Sequence, residues 1–447
     1  MYMPVNQNNT AHVVAVDMGY GHLRAAYPLS DIATGGKIIN ANSYAGIPKR
    51  DYHDWNGSRK LYEFISSHKD SPIFGQAAFA IMEMVQKIDD FYPVRDLSRP
   101  SYQLRVIYSQ IKKGWGKDLI SRLNRDPRPL ISTFFVPAYF AEEHNFKEDI
   151  FMVCCDADVS RAWAPLNAKK SRIKYLVPNL RVKERLLLYG VKEERIFVTG
   201  FPLPKENIGG KNLPILRESL AKRLAVLDPH HRFRRKYRDT LEKILGDEFC
   251  HVNEPASRPL TITFAVGGAG AQREIGRMIV RSLHDEIKKG QVRVNLVAGV
   301  RNDVYRYYSE FCGECRLMPE RDVSILYADT KEEYFKRFNL LLNDTDILWT
   351  KPSELSFYVG LGLPIIIAPP VGSQEHFNRK WLNAISAGVD EEDPRFTNEW
   401  LMDWLESGWM AEAAMKGFLD APRNGAYHIE EVVLRGRRSE IEMTHLL

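Results

Sequence analysis

Two loops near the C-terminal end of this 447-residue chain carry side chains whose types and spacing suit chemistry. Each loop follows a short apolar run, at residues 347–349 and 365–367. The polar side chains of the two loops are Lys351, Ser353, Glu354, Gln374, Glu375 and Asn378. Loops at the carboxyl ends of parallel strands offer free N–H groups to ligands. The pattern predicts a site for an anionic, polyhydroxylated ligand such as a nucleotide-sugar, although two ordinary strand-to-helix turns would show the same residues.

A glycine-rich turn near the N-terminus, Gly19-Tyr20-Gly21-His22, separates an apolar run from a predicted helix. Glycines let the backbone turn sharply and approach a ligand closely. His22 would begin the helix, where it could act as a general base or bind a pyrophosphate through an N–H group. A purely structural histidine is the alternative.

A second glycine-rich loop, Gly267-Gly268-Ala269-Gly270, also follows a predicted strand and precedes a predicted helix. Such a loop can surround phosphate oxygens with backbone N–H groups, and the helix dipole adds to the attraction. The loop lacks the Gly-Lys-Ser/Thr of a Walker motif and is a poor match to a dinucleotide fingerprint.

Two carboxylates, Asp156 and Asp158, follow the predicted strand 151–155. Carboxylates at the carboxyl end of a strand can serve as a base or bind hydroxyl groups. They are equally good helix caps, so both interpretations stay open.

The elements that must position these residues alternate between strand and helix along the chain. The predicted strands, in chain order and with 365–367 as the last, are 13–16, 130–134, 151–155, 173–178, 196–199, 260–266, 292–298, 323–327, 347–349 and 365–367. Repeated strand–helix units predict parallel sheets with right-handed crossovers, and therefore an α/β protein.

A break rich in Gly and Pro at residues 200–204 predicts a domain boundary. The predicted division is an N-terminal domain over 1–203, a charged linker or insertion over 204–258, a C-terminal ligand-binding domain over 259–395, and C-terminal helices and tail over 396–447. In the tail, the helical spacing places Trp400, Trp404 and Trp409 on or near one face and predicts that they are packing residues.

The formal net charge of +5 is too small to indicate a nucleic-acid partner, but it suits anionic substrates or an anionic membrane surface. No apolar run approaches the roughly 20 residues that span a bilayer. The polar N-terminus does not resemble a signal peptide. We therefore expect a cytoplasmic location.

The five cysteines and the absence of a secretory signal indicate reduced thiols. Cys312 and Cys315 have the spacing of half a zinc site or of a redox pair. No second pair with this spacing supplies further ligands, so no metal site is predicted.

Taken together, the motifs resemble the two-domain GT-B glycosyltransferases. The resemblance is to the family of monogalactosyldiacylglycerol synthases, processive diacylglycerol glucosyltransferases and the lipid-linked N-acetylglucosaminyltransferase of cell-wall synthesis, and it covers about residues 13–385. The matching segments are the Gly-His loop at 17–26, the stretch 175–202 that enters the linker, the loop at 267–270, the strand end Gly299-Val300-Arg301-Asn302, the Lys-Pro pair at 351–352, and the Gly-Ser-Gln-Glu-x-x-Asn loop at 372–378. The last segment is the most specific.

The resemblance implies an α/β GT-B fold, with two Rossmann-like parallel-sheet domains facing a cleft. The C-terminal domain would bind a nucleotide-sugar, usually a UDP-sugar, without a required metal or other cofactor, and the N-terminal domain would bind the acceptor. Transfer would invert the anomeric carbon, with His22 and Asp156 as candidates for the base or for orienting the acceptor. Gly19 and Gly21 would shape the acceptor-side loop. The implied donor-binding residues are Gly267, Gly268, Ala269, Gly270, Arg301, Lys351, Ser353, Glu354, Gln374, Glu375 and Asn378.

Two departures from the family pattern lie in the first donor loop. Ser353 and Glu354 stand where the family has two glycines. The ribose-binding Glu of the family lies seven residues before the proline at Pro364, and here that position is Phe357. Glu354 could substitute for it; otherwise the nucleotide differs from UDP or donor binding is lost.

Three functions follow as hypotheses. The first is an inverting glycosyltransferase acting on a lipid or membrane-proximal acceptor. The others are a nucleotide-sugar epimerase or hydrolase, and a nucleotide-sugar-binding protein without transferase activity. The basic segment 230–238 and the apolar-basic stretch 104–117, which contains Trp115, could contact an anionic membrane or be ordinary surface.

Overall fold

The computed structural model describes residues 10–56, 87–253, 258–265, 267, 270, 272–318 and 320–437. The chain forms two compact units. The first unit combines the described residues up to Leu203 with 372–378 and with the described residues from Asn424 onward. The second unit contains residues 204–371 and 379–423.

The first unit is built on a parallel sheet that has six strands in the described part of the chain, in the order β2-β1-β3-β4-β5-β6. The strands are β1 (His12–Ala15), β2 (Ile39–Asn40), β3 (Leu130–Ser132), β4 (Ile150–Val153), β5 (Lys174–Val177) and β6 (Ile196–Val198). Val14 of β1 belongs to one apolar core cluster, whereas its neighbours Val13 and Ala15 belong to another. The sheet is therefore covered on both faces, which explains why its strands read as continuous apolar runs.

Helices cover the two faces of this sheet. Their bounds are Gly21–Ala26, Tyr102–Lys112, Lys117–Leu123, Phe135–Glu143, Leu180–Leu188 and Gly425–Arg435, with further helical residues at 49–56. Short 3₁₀ helices are Tyr27–Leu29, Thr34–Gly36, Arg161–Trp163 and Glu193–Arg195. Leu104 and Trp115 are buried in the core. These two apolar side chains of the stretch 104–117 are therefore packed inside and are not presented to a membrane.

The helix Gly425–Arg435, far from β1 in sequence, completes the first unit. Ala426, Ile429 and Val432 lie in the same apolar cluster as the strand residues Val13 and Ile131. The first residue of this helix must be glycine, because a Cβ built on Gly425 would lie 2.1 Å from the carbonyl oxygen of Phe201.

The second unit is built on another parallel sheet, again six-stranded in the described part of the chain, in the order β12-β11-β10-β7-β8-β9. Its strands are β7 (Leu260–Ala265), β8 (Val292–Gly299), β9 (Val323–Tyr327), β10 (Ile347–Thr350), β11 (Ile365–Ile367) and β12 (Gly388–Asp390). The prediction that 365–367 is the last strand is wrong, since β12 pairs with β11 at the sheet edge. The predicted fold class, α/β with two Rossmann-like parallel-sheet domains, is confirmed.

Helices surround the second sheet, and segment 204–258 contributes several of them. The bounds are Lys205–Ile208, Pro214–Leu227, Arg232–Lys236, Arg238–Leu245, Phe249–Asn253, Arg273–Ser282, His284–Lys288, Asn302–Glu314, Lys331–Leu342, Thr397–Ser407 and Trp409–Asp420, with 3₁₀ helices Gly246–Glu248, Glu354–Leu361 and Pro394–Phe396. The helix Ser373–Ala384 begins in the first unit and belongs to the second from Arg379 onward. None of the helices in the described ranges has the length and apolar character needed to cross a membrane.

The basic segment 230–238 is partly structural. Phe233 is buried, and the guanidinium of Arg234 lies inside the unit with its Nε 3.2 Å from the carboxylate of Asp228. Arg235 and Arg238 are exposed. Only part of this charge is therefore presented to solvent.

Stacked tryptophans join the C-terminal helices to the second sheet. The ring centroids of Trp349 and Trp400 are 5.3 Å apart, those of Trp400 and Trp404 4.5 Å, and those of Trp404 and Trp409 5.1 Å. The prediction that the tail tryptophans are packing residues is confirmed.

Glu391, which follows β12, is a half-buried acid next to this stack. The indole N–H of Trp349 donates to its carboxylate over 2.7 Å. Burial is the largest influence and raises the pKa of Glu391 from 4.5 to about 7, although the indole hydrogen bond opposes the shift. The folded chain therefore holds a proton here that the unfolded chain has lost.

We expect Glu391→Gln to remove a pH-dependent loss of stability. Between pH 4.5 and 7 the folded state binds more protons than the unfolded state at this group, so stability falls as the pH rises through this window and stays low above it. At pH 8 the variant should gain about 2 kcal/mol after allowance for solvent screening, and almost nothing near pH 4.5. Thermal melts at both pH values measure this, with exposed Glu399→Gln as control. Equal gains at both pH values would contradict the prediction.

Candidate functional site

The carboxyl edge of the second sheet brings together residues from loops that are distant in sequence. β10, β7 and β8 are neighbours in the sheet, so the loops that follow them adjoin. A Cβ built on Gly267 would lie 2.7 Å from Cε of Lys351. A Cβ on Gly270, whose φ is +69°, would lie 3.8 Å from the guanidinium carbon of Arg301. Gly267, Gly270, Arg301 and Lys351 thus line one edge. Gly268 and Ala269 lie outside the described residues.

Arg301 is oriented by a neighbouring carboxylate. Its Nε and Nη2 donate to the two oxygens of Asp303 over 2.8 and 2.9 Å. Arg273 lies 3.5 Å from the same carboxylate. The Arg301 guanidinium is the main reason that the pKa of Asp303 is below its usual range. An arginine fixed in this way presents a planar donor group suited to phosphate oxygens.

Lys351, Ser353 and Glu354 lead from β10 into the 3₁₀ helix Glu354–Leu361. The N–H of Ser353 donates to the Lys351 carbonyl over 2.8 Å, which forms the tight turn. Ser353 is the residue before the helix, and Glu354 is buried in its first turn. A helix start of this kind directs N–H groups towards the end of the strand.

Phe357, the residue at the family's ribose-binding position, is part of the core. It is buried, and its ring centroid is 5.0 Å from that of Trp381. A carboxylate here would have to enter an apolar contact. Glu354, one 3₁₀ turn earlier, is the nearest carboxylate in sequence, which keeps it as the candidate substitute.

The second predicted donor loop, residues 372–378, belongs to the first unit. Gln374, Glu375 and Asn378 lie in the first turns of the helix Ser373–Ala384, and Glu375 and Asn378 are buried. The Nδ2 group of Asn378 donates to Oδ1 of Asp156 over 3.0 Å. Two residues predicted for different parts of the site, 222 positions apart in sequence, are therefore hydrogen-bonded.

Asp158, two residues after Asp156, is a structural residue. It forms a buried ion pair with Arg185, with distances of 2.9 and 2.8 Å, and it accepts the N–H of Val159 over 2.8 Å. Burial raises the pKa of Asp158, and Arg185 opposes this shift. The pair attaches the loop after β4 to the helix Leu180–Leu188. Of the two aspartates, Asp156 is the one left for chemistry.

His22 lies in the first turn of the helix Gly21–Ala26, after a turn that uses Gly19 at a φ of +103°. Its carbonyl accepts the Thr133 hydroxyl over 2.8 Å. Its ring centroid is 4.7 Å from that of Phe134 and 6.3 Å from that of Trp163. The imidazole therefore has aromatic neighbours that limit its movement.

Sequence reasoning missed an aromatic pair at the edge of the second sheet. The ring centroids of Tyr305 and Tyr327 are 5.3 Å apart, and 38% of Tyr305 is exposed. Tyr327 ends β9, and Tyr305 follows Arg301 by one helical turn. Exposed aromatic rings at strand ends are surfaces on which a nucleobase can stack. The position of Tyr327 at a strand end was the available signal.

The cysteine pair lies at the C-terminal end of a helix. Cys312 is buried in Asn302–Glu314, Cys315 follows that helix, and burial raises the pKa of Cys312 to about 11. Helix C-termini disfavour thiolates, so this position does not activate the thiol. In the described ranges, three or more His, Cys, Asp or Glu residues do not come together as a metal site.

No family model and no curated protein matches this chain. Among solved structures, it is similar to MurG from Acinetobacter baumannii, at 13% identity over 76% of this chain and 83% of that chain, with a TM-score of 0.42. It is also similar to the UDP-GlcNAc 2-epimerase from Neisseria meningitidis bound to UDP-GlcNAc, at 12% identity over 76% and 84%, with a TM-score of 0.45. A glycosyltransferase from Rickettsia africae matches at 12% identity over 85% and 95%, with a TM-score of 0.37. Similarities this low carry no argument about activity.

Proposed function

We propose that this chain is an inverting glycosyltransferase of the GT-B class, which moves a sugar from a UDP-sugar to a lipid or membrane-proximal acceptor. The observation that carries the proposal is the edge of the second sheet, where Gly267, Gly270, Arg301 and Lys351 line the ends of neighbouring parallel strands. Glycine backbone and fixed cations at such an edge match the needs of a diphosphate. The motif resemblance supports the same conclusion.

In the proposed reaction, an acceptor hydroxyl attacks the anomeric carbon from the face opposite the diphosphate. His22 or Asp156 removes the hydroxyl proton as the new C–O bond forms. The bond between the anomeric carbon and the diphosphate breaks, and the nucleoside diphosphate leaves. Arg301 and Lys351 stabilise its growing negative charge, which replaces the role of a metal ion.

The remaining donor groups have separate proposed roles. The Tyr305–Tyr327 pair stacks with the nucleobase, and Glu354 binds the ribose. Ser353 contacts the diphosphate, and Gln374 and Glu375 bind the sugar hydroxyls.

Nucleotide binding tests the proposal directly. Calorimetry against UDP, GDP, dTDP and CDP, with and without Mg²⁺, should show micromolar binding of UDP that is independent of metal. We expect Lys351→Ala to weaken this binding by about 10- to 100-fold, because one charge-assisted contact to the diphosphate is lost. Lys289→Ala, at an exposed lysine elsewhere in the second unit, is the matched control. No binding across the panel would overturn the proposal.

Phe357 favours a second candidate, a nucleotide-sugar-binding protein without transferase activity. Phe357 packs against Trp381 inside the unit, so the family's ribose-binding position carries no carboxylate. The product distinguishes the alternatives when labelled UDP-sugar is added together with acceptor. A glycosylated acceptor indicates transfer, free sugar or an isomerised donor indicates a hydrolase or epimerase, and unchanged donor indicates binding alone.

For the acceptor side, we propose peripheral contact with the cytoplasmic face of an anionic membrane. The support is an exposed surface segment at residues 92–106 of the first unit, in which Tyr92 is 68% and Tyr102 83% exposed. Exposed Arg95, Arg99 and Arg105 lie in the same segment. Aromatic and basic side chains together suit the interface of an anionic bilayer.

Sedimentation with vesicles tests this surface. The chain should bind vesicles rich in phosphatidylglycerol, bind neutral vesicles weakly, and dissociate as salt rises, because the contact is electrostatic. Tyr102→Ser should lower the partition coefficient about 5-fold or more, since a large exposed aromatic anchor is removed. Phe396→Ser, at an exposed ring in the second unit, is the control. Salt-independent or absent binding would contradict the membrane proposal.

A further inference from the structure

We propose that Asn378 is a positioning residue that fixes the carboxylate of Asp156. The inference rests on the proposed function, in which Asp156 acts as the base or orients the acceptor. It assigns Asn378 a role different from the donor binding that the family resemblance implies.

The amide of Asn378 bridges two neighbouring groups of one loop. Its Nδ2 donates to Oδ1 of Asp156 over 3.0 Å, and its Oδ1 accepts the N–H of Ala157 over 2.7 Å. The two contacts define the amide orientation, because a flipped amide would place its oxygen against the carboxylate and its NH₂ against the N–H group. The carboxylate is thus tied to the backbone of the next residue.

A second asparagine holds the other side of the same loop. The Nδ2 of Asn179 donates to the carbonyl of Ala157 over 3.1 Å, and its Oδ1 accepts the N–H of Val182 over 2.9 Å as a helix cap. The residue after Asp156, Ala157, is therefore held at its N–H by Asn378 and at its carbonyl by Asn179, both of which are buried. This arrangement leaves the backbone at Asp156 little freedom.

The burial of Asn378 argues against a direct contact with the donor. Its side chain is fully buried, and both ends of its amide are bonded to the loop after β4. Each end of the amide could make one further hydrogen bond, but the side chain is 0% exposed, so a sugar hydroxyl would have to open the packing around it. Gln374 and Glu375, the residues proposed to bind the sugar, lie about one turn earlier on the same helix.

The decisive variant is Asn378→Asp, which keeps the size of the side chain and the acceptor for Ala157 but replaces the N–H donor to Asp156. We expect kcat for sugar transfer to fall about 100-fold, as for a displaced catalytic group, with UDP affinity within about 2-fold of wild type. Asn378→Ala, which adds no charge, should likewise lower kcat and leave UDP affinity nearly unchanged. Asn124→Asp is the matched control: this amide also accepts a backbone N–H, from Lys147, and donates to a backbone carbonyl, of Asn145, but it lies outside the loop after β4 and the change should leave kcat within about 3-fold.

Stability supplies a readout that does not need activity. Asn378→Asp places two carboxylates at the contact and should lower the melting temperature. The double variant that exchanges the two residues, Asp156→Asn with Asn378→Asp, restores an amide–carboxylate pair and should recover the melting temperature. The exchanged protein should remain inactive, because the carboxylate has moved. Weakened UDP binding with unchanged kcat in Asn378→Asp, or no thermal recovery in the exchange, would overturn the inference. If the wild-type chain transfers no sugar, the proposed function fails, while the melting temperatures still test the Asn378–Asp156 contact.

Discussion

His22→Ala is expected to lower kcat for sugar transfer by about 10²- to 10⁴-fold and to leave UDP binding unchanged, because general-base catalysis contributes a factor of this size. The imidazole lies in the first turn of the helix after β1, against the rings of Phe134 and Trp163. Steady-state kinetics with saturating UDP-sugar and calorimetry with UDP measure the two quantities separately.

Two comparisons make the histidine test specific. Exposed His53→Ala, in the same unit, should keep wild-type kcat. Added imidazole should restore part of the activity of His22→Ala, since the deletion leaves space between Phe134 and Trp163. If His22→Ala is fully active while Asp156→Asn is not, the base is Asp156.

Gly425→Ala is expected to destabilise the first unit by about 3 kcal/mol or more, the cost of forcing an atom into a filled site. The added Cβ would lie 2.1 Å from the carbonyl oxygen and 2.6 Å from the carbonyl carbon of Phe201. Backbone atoms cannot move aside as a flexible side chain can, so the whole helix Gly425–Arg435 must shift. Chemical unfolding followed by circular dichroism measures the loss.

Gly313→Ala is the matched control for this substitution. Gly313 lies inside the helix Asn302–Glu314, and a Cβ there would meet no atom within 4 Å. The control should be neutral or stabilising by up to about 1 kcal/mol, as alanine is the better helix former. A neutral Gly425→Ala would show that this helix does not pack as described.

The strands were predictable from sequence wherever the sheets are covered on both faces. Runs such as 151–155 and 365–367 are continuously apolar because neither face meets water. β2 and β12 were missed because they are two- and three-residue strands at sheet edges, only half-buried, and they lack such runs. The association of the helix Gly425–Arg435 with the first unit has no local signal, since it depends on contacts with strands near the other end of the chain.

The candidate site was predictable in its residue types but not in its pairings. The motif around Gln374 and Glu375 identified the loop, but spacing alone could not show that Asn378 bonds to Asp156, 222 positions away. The Tyr305–Tyr327 contact was missed for the same reason, because it joins the ends of two separate strand–helix units. Burial of Phe357 could not be inferred from a motif that has a carboxylate at that position.

The late return of the chain to its first unit has a consequence during synthesis. The face of the first sheet that includes Val13 and Ile131 is covered by Ala426, Ile429 and Val432. More than 200 residues separate Leu203 from this helix. At ribosomal rates of about 5–20 residues per second, their synthesis takes on the order of 10 to 40 s. The nascent first unit therefore leaves part of an apolar sheet face uncovered until the last helix is made, and we expect it to need chaperones in that interval more than the second unit does.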